Sequence, residues 1–399
     1  MDHDVVVVGA GLAGLVAARH LAAPDRSLDV VVLEASDAVG GRVRTDQVDG
    51  FRVDRGFQVL NPAYPALRAE VNRAALDLHP FDRGVAVRRA DGLLVLADPT
   101  RHPARVAGLA ARPWRDPRAV LGLVRWAAGP DGTESLAASL DAAGVRGAVR
   151  DELLDPFLSG VLLDASGTTP ASFARWMVRY FLRGTPSLPG QGMGALPALL
   201  AEPVRSRIVL DHAVAAVEQV AGGWRVAGPN GSRTTRAVLV ATDPPTATRL
   251  AGVPEVPMRG CVTWWFGTPT RPSPLAMLHL HPGAGPVVNT AVISNAAPSY
   301  APAGSHLVSA VTLDEAPESQ VRRQLATIYG VPTTGWQVVA HQVVAHSLPA
   351  VAVPVAAGLP SRVAPGLHVA GDHRAHASIQ GAMVSGRRSA AEILAALRA

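Results

Sequence analysis

The sequence predicts an α/β protein in which a parallel-sheet unit is joined to a second, α+β unit of mixed sheet and helices. Three observations predict it. The opening stretch to Glu34 reads strand, glycine turn, helix, strand. Strand and turn signals of the same kind return in the middle of the chain and again at its end. Between them, residues 76–184 are rich in helical segments and residues 251–350 in strand segments. The first unit is therefore assembled from 1–75, 185–250 and 351–399, and the second from 76–184 and 251–350.

Composition bounds the problem. A chain of 399 residues is long enough for two moderate cores. Hydrophobic residues make up 48% and charged residues 17%, the balance of a folded chain. The single cysteine, Cys261, excludes an internal disulfide framework and a cysteine metal cluster. No His/Cys/Asp group has metal-ligand spacing, so no metal is expected. The net charge of +5 comes from arginine alone, because the chain contains no lysine. A lysine Schiff base and a lysine general base are thereby excluded. The arginines are scattered and no nucleic-acid motif appears, so nucleic acid is not an expected partner. No apolar run approaches the roughly eighteen residues of a spanning helix. The first strand begins at once, which leaves no room for a signal peptide, and a cytoplasmic protein is expected.

Asp4-Val5-Val6-Val7-Val8 is a strand, and Gly9-Ala10-Gly11-Leu12-Ala13-Gly14 follows it directly. Leu15 to Ala22 continues as a helix, and Leu28 to Glu34 is a second strand that ends on an acid. Gly9 permits the tight turn, Gly11 the approach of a diphosphate, and Gly14 close packing of helix on strand. The helix start offers N–H groups and its positive dipole end. Glu34 stands where an acid accepts from adenosine ribose hydroxyls, and it disfavours a 2′-phosphate there. This is a dinucleotide-binding unit of Rossmann type. Gly40-Gly41-Arg42 then suits a backbone that wraps phosphate, with arginine as counter-charge.

Glu34-Ala35, Gly40-Gly41-Arg42 and Asp54-Arg55-Gly56-Phe57-Gln58 together resemble the N-terminal signature of the flavin amine oxidase superfamily. The resemblance is nearer to its phytoene desaturase-like and protoporphyrinogen oxidase-like members than to true amine oxidases. It implies FAD as the cofactor. It also implies that Gly41 and Arg42 lie along the diphosphate and that Gly56, Phe57, Gln58 and Val59 run beside the isoalloxazine.

Asn61-Pro62 opens a helix that is expected to reach Ala75. Gly84 to Arg89 and Leu93 to Ala97 form a hairpin across Ala90-Asp91-Gly92. Helices are predicted over 103–111, 117–128, 133–143, 145–163 and 170–183. In the second of these, Val120, Leu121, Leu123, Val124 and Trp126 leave Arg118 and Arg125 on other faces. That pattern fits either a core stripe or a basic amphipathic face for a membrane surface, which would place the protein at the inner face of the membrane. Asp155 to Asp164, with Pro156 and Gly160 inside it, fits either a kinked core helix or one wall of a substrate cavity.

A Gly192-Met193-Gly194 turn precedes a helix that ends near Pro203. Residues 214–241 read as a three-stranded meander. By the resemblance, Val214 meets the adenine through its backbone, and the last meander strand closes on the cofactor at Ala241. Cys261–Gly267, Ala276–His281, Val287–Ser294, His306–Leu313 and Trp336–Ala345 are strands, with one helix over 317–329. With the early hairpin they predict one mixed sheet whose face floors the cavity. Trp264 and Phe266 share a side of their strand and are expected to line that cavity.

Gly366 to Asp372 is a strand that ends in Gly371-Asp372, and Ser378 to Gly386 opens the final helix. This resembles the superfamily's closing FAD motif. The resemblance implies that Asp372 binds ribityl or diphosphate oxygens and that Ile379, Gln380 and Ala382 face the flavin N1–O2 edge. There a helix start steadies negative charge on the reduced ring. His373 and His376 are weak catalytic candidates: they either shuttle protons near neutral pH or hydrogen-bond within a surface loop.

The leading expectation is an FAD-dependent oxidoreductase that takes hydride at N5 from an apolar small molecule, with O2 or a quinone as acceptor. The alternatives are a redox-neutral polyene isomerase, a flavin-binding protein without turnover, and amine oxidation at an atypical, lysine-free site. Cys261 lies far upstream of the closing motif in sequence, so the FAD is expected to be non-covalent.

Overall fold

The structure is a computed structural model that describes residues 1–97, 117–130, 132–350 and 358–398. The predicted helix over 103–111 lies outside the described residues.

Strand His3–Val8 is buried on both faces. Val5 and Val7 point into one apolar cluster with helices Leu12–Leu21 and Ile379–Arg398, while Val6 and Val8 point into another on the opposite face. Alternation with both faces covered makes the strand a continuous valine run. It pairs in parallel with Val30–Leu33 on one side and with Gly231–Val240 on the other. The eight-stranded sheet runs Ala216–Val220, Gly223–Gly228, Gly231–Val240, His3–Val8, Val30–Leu33, Ile208–Val209, and Arg362–Ala364 and Leu367–Val369 attach beside Gly231–Val240. The first three of these strands are the predicted antiparallel meander.

The seven-stranded sheet runs Gln337–Pro349, Met258–Thr268, His306–Thr312, Val287–Val292, Leu278–Leu280, Gly84–Arg89, Gly92–Ala97. Its mixed character arises at one joint, where Leu278–Leu280 pairs in parallel with the early hairpin.

Three expectations change. The helix after Asn61-Pro62 is only Pro65–Glu70. Val71 is extended and Asn72 caps a separate short turn, Arg73–Leu76, so the chain stops and restarts. The segment 145–163 is not one helix: a wide π-type turn, Val149–Leu154, feeds Asp155–Leu162. Third, Trp264 and Phe266 do share a side, but that side is covered by a helix. They pack under helix Glu318–Tyr329 with Val321, Leu325 and Trp336. The side of the sheet facing Phe51, Phe81 and Tyr300 belongs to Trp265. Alternation assigns partners to a face, but only the later helix decides which face it covers.

The helix Pro117–Ala128 buries Ala119, Gly122 and Trp126 and leaves Val120, Leu121 and Val124 exposed, so those three do not form a core stripe. Asp155–Leu162 packs on the second sheet, where an added Cβ at Gly160 would sit 2.2 Å from Asn289 Nδ2.

Candidate functional site

The Gly9–Gly14 turn is shaped by what glycine leaves out. Gly9 has φ +101°, and a Cβ there would lie 2.8 Å from the Ala241 carbonyl oxygen. A Cβ on Gly14 would lie 2.0 Å from the Gly9 carbonyl oxygen, so helix and strand meet at a distance only glycine allows. At Gly11 the opposite holds: an added Cβ meets nothing within 4 Å. Gly11 is the N-cap of helix Leu12–Leu21, no side chain caps that helix, and no acid stands in its first turn. The Gly40-Gly41 loop docks alongside. Gly40 N–H donates to the Ala10 carbonyl at 2.9 Å, and a Cβ at Gly41 would lie 3.4 Å from the Gly11 Cα.

Glu34 is buried at the end of its strand. Its carboxylate accepts from Ala10 N–H at 2.6 Å, Ser36 N–H at 3.0 Å and Ser36 Oγ at 2.6 Å. With about four lone-pair positions, it keeps room for a further donor while it locks the glycine turn. Ala35 is exposed beside it. Val214 lies between two strands, close in sequence to His212, whose N–H donates to the Glu34 carbonyl. Ala241 N–H donates to the Val8 carbonyl at the strand end.

Arg42 joins distant parts of the chain. It donates to Asp372 at 2.6 Å and to the Ser347 carbonyl at 2.9 Å, while its own carbonyl accepts from Gln58 Nε2 at 2.8 Å. Gly56 N–H donates to Gln342 Oε1, which also accepts from Trp265 Nε1, both at 3.1 Å. Phe57 meets Phe81 edge-on at 6.3 Å, and Val59 packs on the same apolar cluster. An open cleft of about 390 Å³ lies between Gly41-Arg42, Arg55 and Gln342 to Val344. Gly371 N–H is held by Ser385 Oγ at 3.1 Å. Gln380 Oε1 accepts from Ala66 N–H at 2.9 Å, which ties the closing helix to Pro65–Glu70. Ile379 and Ala382 are half-buried on that helix's first turn.

His373 and His376 are buried, not displayed on a surface loop. Burial pushes both imidazoles down to about 4, so both rings are neutral at pH 7. Neither nitrogen of His373 has a partner. His376 bonds Ser378 Oγ and lies 4.0 Å from the Trp176 ring.

Sequence reasoning missed three features. Asp54 is buried and accepts from Thr45 Oγ1 at 2.5 Å, Met193 N–H at 2.9 Å and Tyr300 Oη at 2.9 Å. Burial pushes it up to about 6 against those three bonds. The Asp54-Arg55-Gly56 motif was the only local signal for this hub. An aromatic group of Tyr64, Trp176, Tyr180 and His376 forms where the long helix Ala171–Arg183 meets the closing motif. No local pattern predicts it, because Tyr64, the Trp176–Tyr180 pair and His376 are far apart in sequence. Cys261 lies far from the closing motif in sequence, yet its Sγ is 3.3 Å from Ser347 Oγ, in the residue whose carbonyl receives Arg42. Burial pushes the thiol up, away from thiolate.

Among the described residues no cluster of His, Cys, Asp or Glu could hold a metal ion. The residues do fit a dinucleotide: an uncapped helix start, an open strip over Gly11, an acid with spare acceptor capacity and a fixed arginine converge on one side of the first sheet.

The model of the flavin-containing amine oxidoreductase family matches residues 12–394, and the chain belongs to this family of FAD-dependent oxidoreductases. It is 43% identical over 102 residues to putrescine oxidase of Kocuria rosea, covering 26% of this chain and 20% of that one. It is 26% identical over 297 residues to an L-amino acid dehydrogenase of Synechocystis, covering 64% and 59%. The chain thus spans under two thirds of the length of either relative. A solved oxidoreductase from Methanosarcina mazei superimposes with a TM-score of 0.75 at 17% identity, covering 98% of this chain and 100% of that one, which is a likeness of fold.

Proposed function

We propose that the chain oxidises an apolar small molecule, with FAD held non-covalently across the turn, the Gly40–Arg42 loop and the closing motif. The observation that carries this reading is the meeting of Arg42 with Asp372 and Ser347, which brings the first loop, the closing motif and the second sheet to one place. Bound FAD supplies a hydride acceptor at N5. The protein's part is to bind and orient. The N–H groups at the start of helix Leu12–Leu21 and the Arg42 guanidinium take the diphosphate, and Glu34 takes a ribose hydroxyl. The start of helix Ile379–Arg398 would hold the flavin N1–O2 edge and would favour negative charge there.

The substrate side is read as apolar because Phe57, Val59, Trp265 and the neutral Gln342 carboxamide gather beside Gly56. Lysine is absent from the whole chain, and His373 and His376 are neutral, so oxidation here uses no lysine and no imidazolium at those two positions. O2 or a quinone would be the final electron acceptor.

Anaerobic mixing of the FAD-loaded protein with a panel of apolar alkenes, polyenes and amines tests this. Bleaching of the flavin, with product two hydrogens lighter, is expected. Turnover with product of unchanged mass would instead support the redox-neutral isomerase reading. Preferential turnover of short polyamines would support amine oxidation and sink the apolar assignment.

A further inference from the structure

The helix Pro117–Ala128 turns its apolar side chains outward. Val120, Leu121 and Val124 are 43%, 56% and 58% exposed, and on a helix they fall on one side. The opposite side, Ala119, Gly122 and Trp126, is the buried one. Gly122 fixes that orientation, because a Cβ there would lie 2.7 Å from the Ala143 carbonyl oxygen. The side packed against the Ala143 turn is thus the buried one. Leu182, 70% exposed, lies three residues beyond Arg179 and on the same face of helix Ala171–Arg183. Arg179 donates to the Ala127 and Gly129 carbonyls, so that face meets the end of Pro117–Ala128.

The charges on the stripe's own helix have one sign. Arg118 and Arg125, seven residues apart, line one edge of the exposed side, and Arg183 follows Leu182. The helix carries no acid. An apolar stripe edged by arginines is the pattern of a helix that lies in a membrane interface, with arginine stems along the acyl region and guanidinium heads at phosphate. A second copy fits poorly, since apposing two such faces sets arginine edges together with no helix acid to pair them.

We propose that this face docks the protein on an anionic lipid surface, with Val120, Leu121 and Val124 inserted and Arg125 at the headgroups. The proposal is independent of the reaction assigned above. The test is flotation of the FAD-loaded protein with vesicles of phosphatidylcholine and phosphatidylserine in equal parts. Binding is expected, weaker on pure phosphatidylcholine and in high salt. The triple substitution Val120→Ser, Leu121→Ser, Val124→Ser should weaken it roughly 100-fold, and Arg125→Ser roughly fivefold. All four positions are exposed, and an unchanged flavin spectrum and melting temperature show that each variant is folded. Failure of the wild-type protein to float, or binding that the triple variant retains, would overturn the proposal. So would a dimer in sedimentation that the triple variant dissolves without vesicle binding, since the face would then belong to a second copy.

Discussion

At Gly14 an added Cβ would lie 2.0 Å from a carbonyl oxygen; forty residues on, Asp54 keeps a carboxylate buried among three donors. The glycine cradle works by leaving atoms out, and its turn, Gly9 to Gly14, comes from one short stretch of chain. The junction around Asp54 and Arg42 works by placing polar groups, and its members come from residues 42 to 372. The first is a steric solution, tolerant of pH but of no added atom. The second is electrostatic, tolerant of small changes in shape but sensitive to charge.

The largest effect should come from the steric side. Gly14→Ala and Gly386→Ala each drive a methyl into backbone, the latter 2.2 Å from the Ala13 carbonyl oxygen. Each should cost about 3 kcal/mol in urea unfolding and release the flavin. A well-folded, FAD-loaded Gly14→Ala protein would show that helix and strand can accommodate the methyl.

Asp54 sharpens the electrostatic side. Its carboxyl titrates at about 6 in the fold against 3.8 as a free side chain. Because the folded value is raised, its contribution is most favourable below the lower value and is lost as pH rises through the upper one. The amplitude is roughly 3 kcal/mol between those limits and flat above them. Asp54→Asn keeps the shape and can still bond Thr45, Met193 and Tyr300. It should remove that slope from unfolding curves taken between pH 4 and 7, and an unchanged slope would place its origin elsewhere.

Asp372→Asn should cost about 2 kcal/mol, less than the roughly 3–5 of a fully buried pair because Arg42 is partly exposed. FAD affinity should fall with it, as titration of the FAD-free protein would reveal. Trp265→Phe, which removes the bond to Gln342, should cost only about 1 kcal/mol and leave FAD content unchanged.

The same contrast explains what was legible in the sequence. The cradle could be read because strand, turn, helix and acid are consecutive and each glycine has a local reason. The meander and the second sheet could be read from alternation and turns. The side faced by Trp264 could not, because it depends on where helix Glu318–Tyr329 lies. Asp54's partners, Met193 and Tyr300, could not be read either, since nothing at 54 points to residues 139 and 246 positions away. The outward stripe at Val120 was ambiguous in sequence because an amphipathic period shows that a helix has two faces but not which one is covered.

The account's central claim is that three separated stretches of chain together hold one FAD without a covalent bond. Its most direct test is the flavin content of the purified protein before and after acid precipitation. The claim predicts about one FAD per chain, all of it in the supernatant. A pellet that stays yellow would place a covalent link in the site, with Cys261 the first residue to examine, and a folded protein that takes up no FAD would contradict the claim outright.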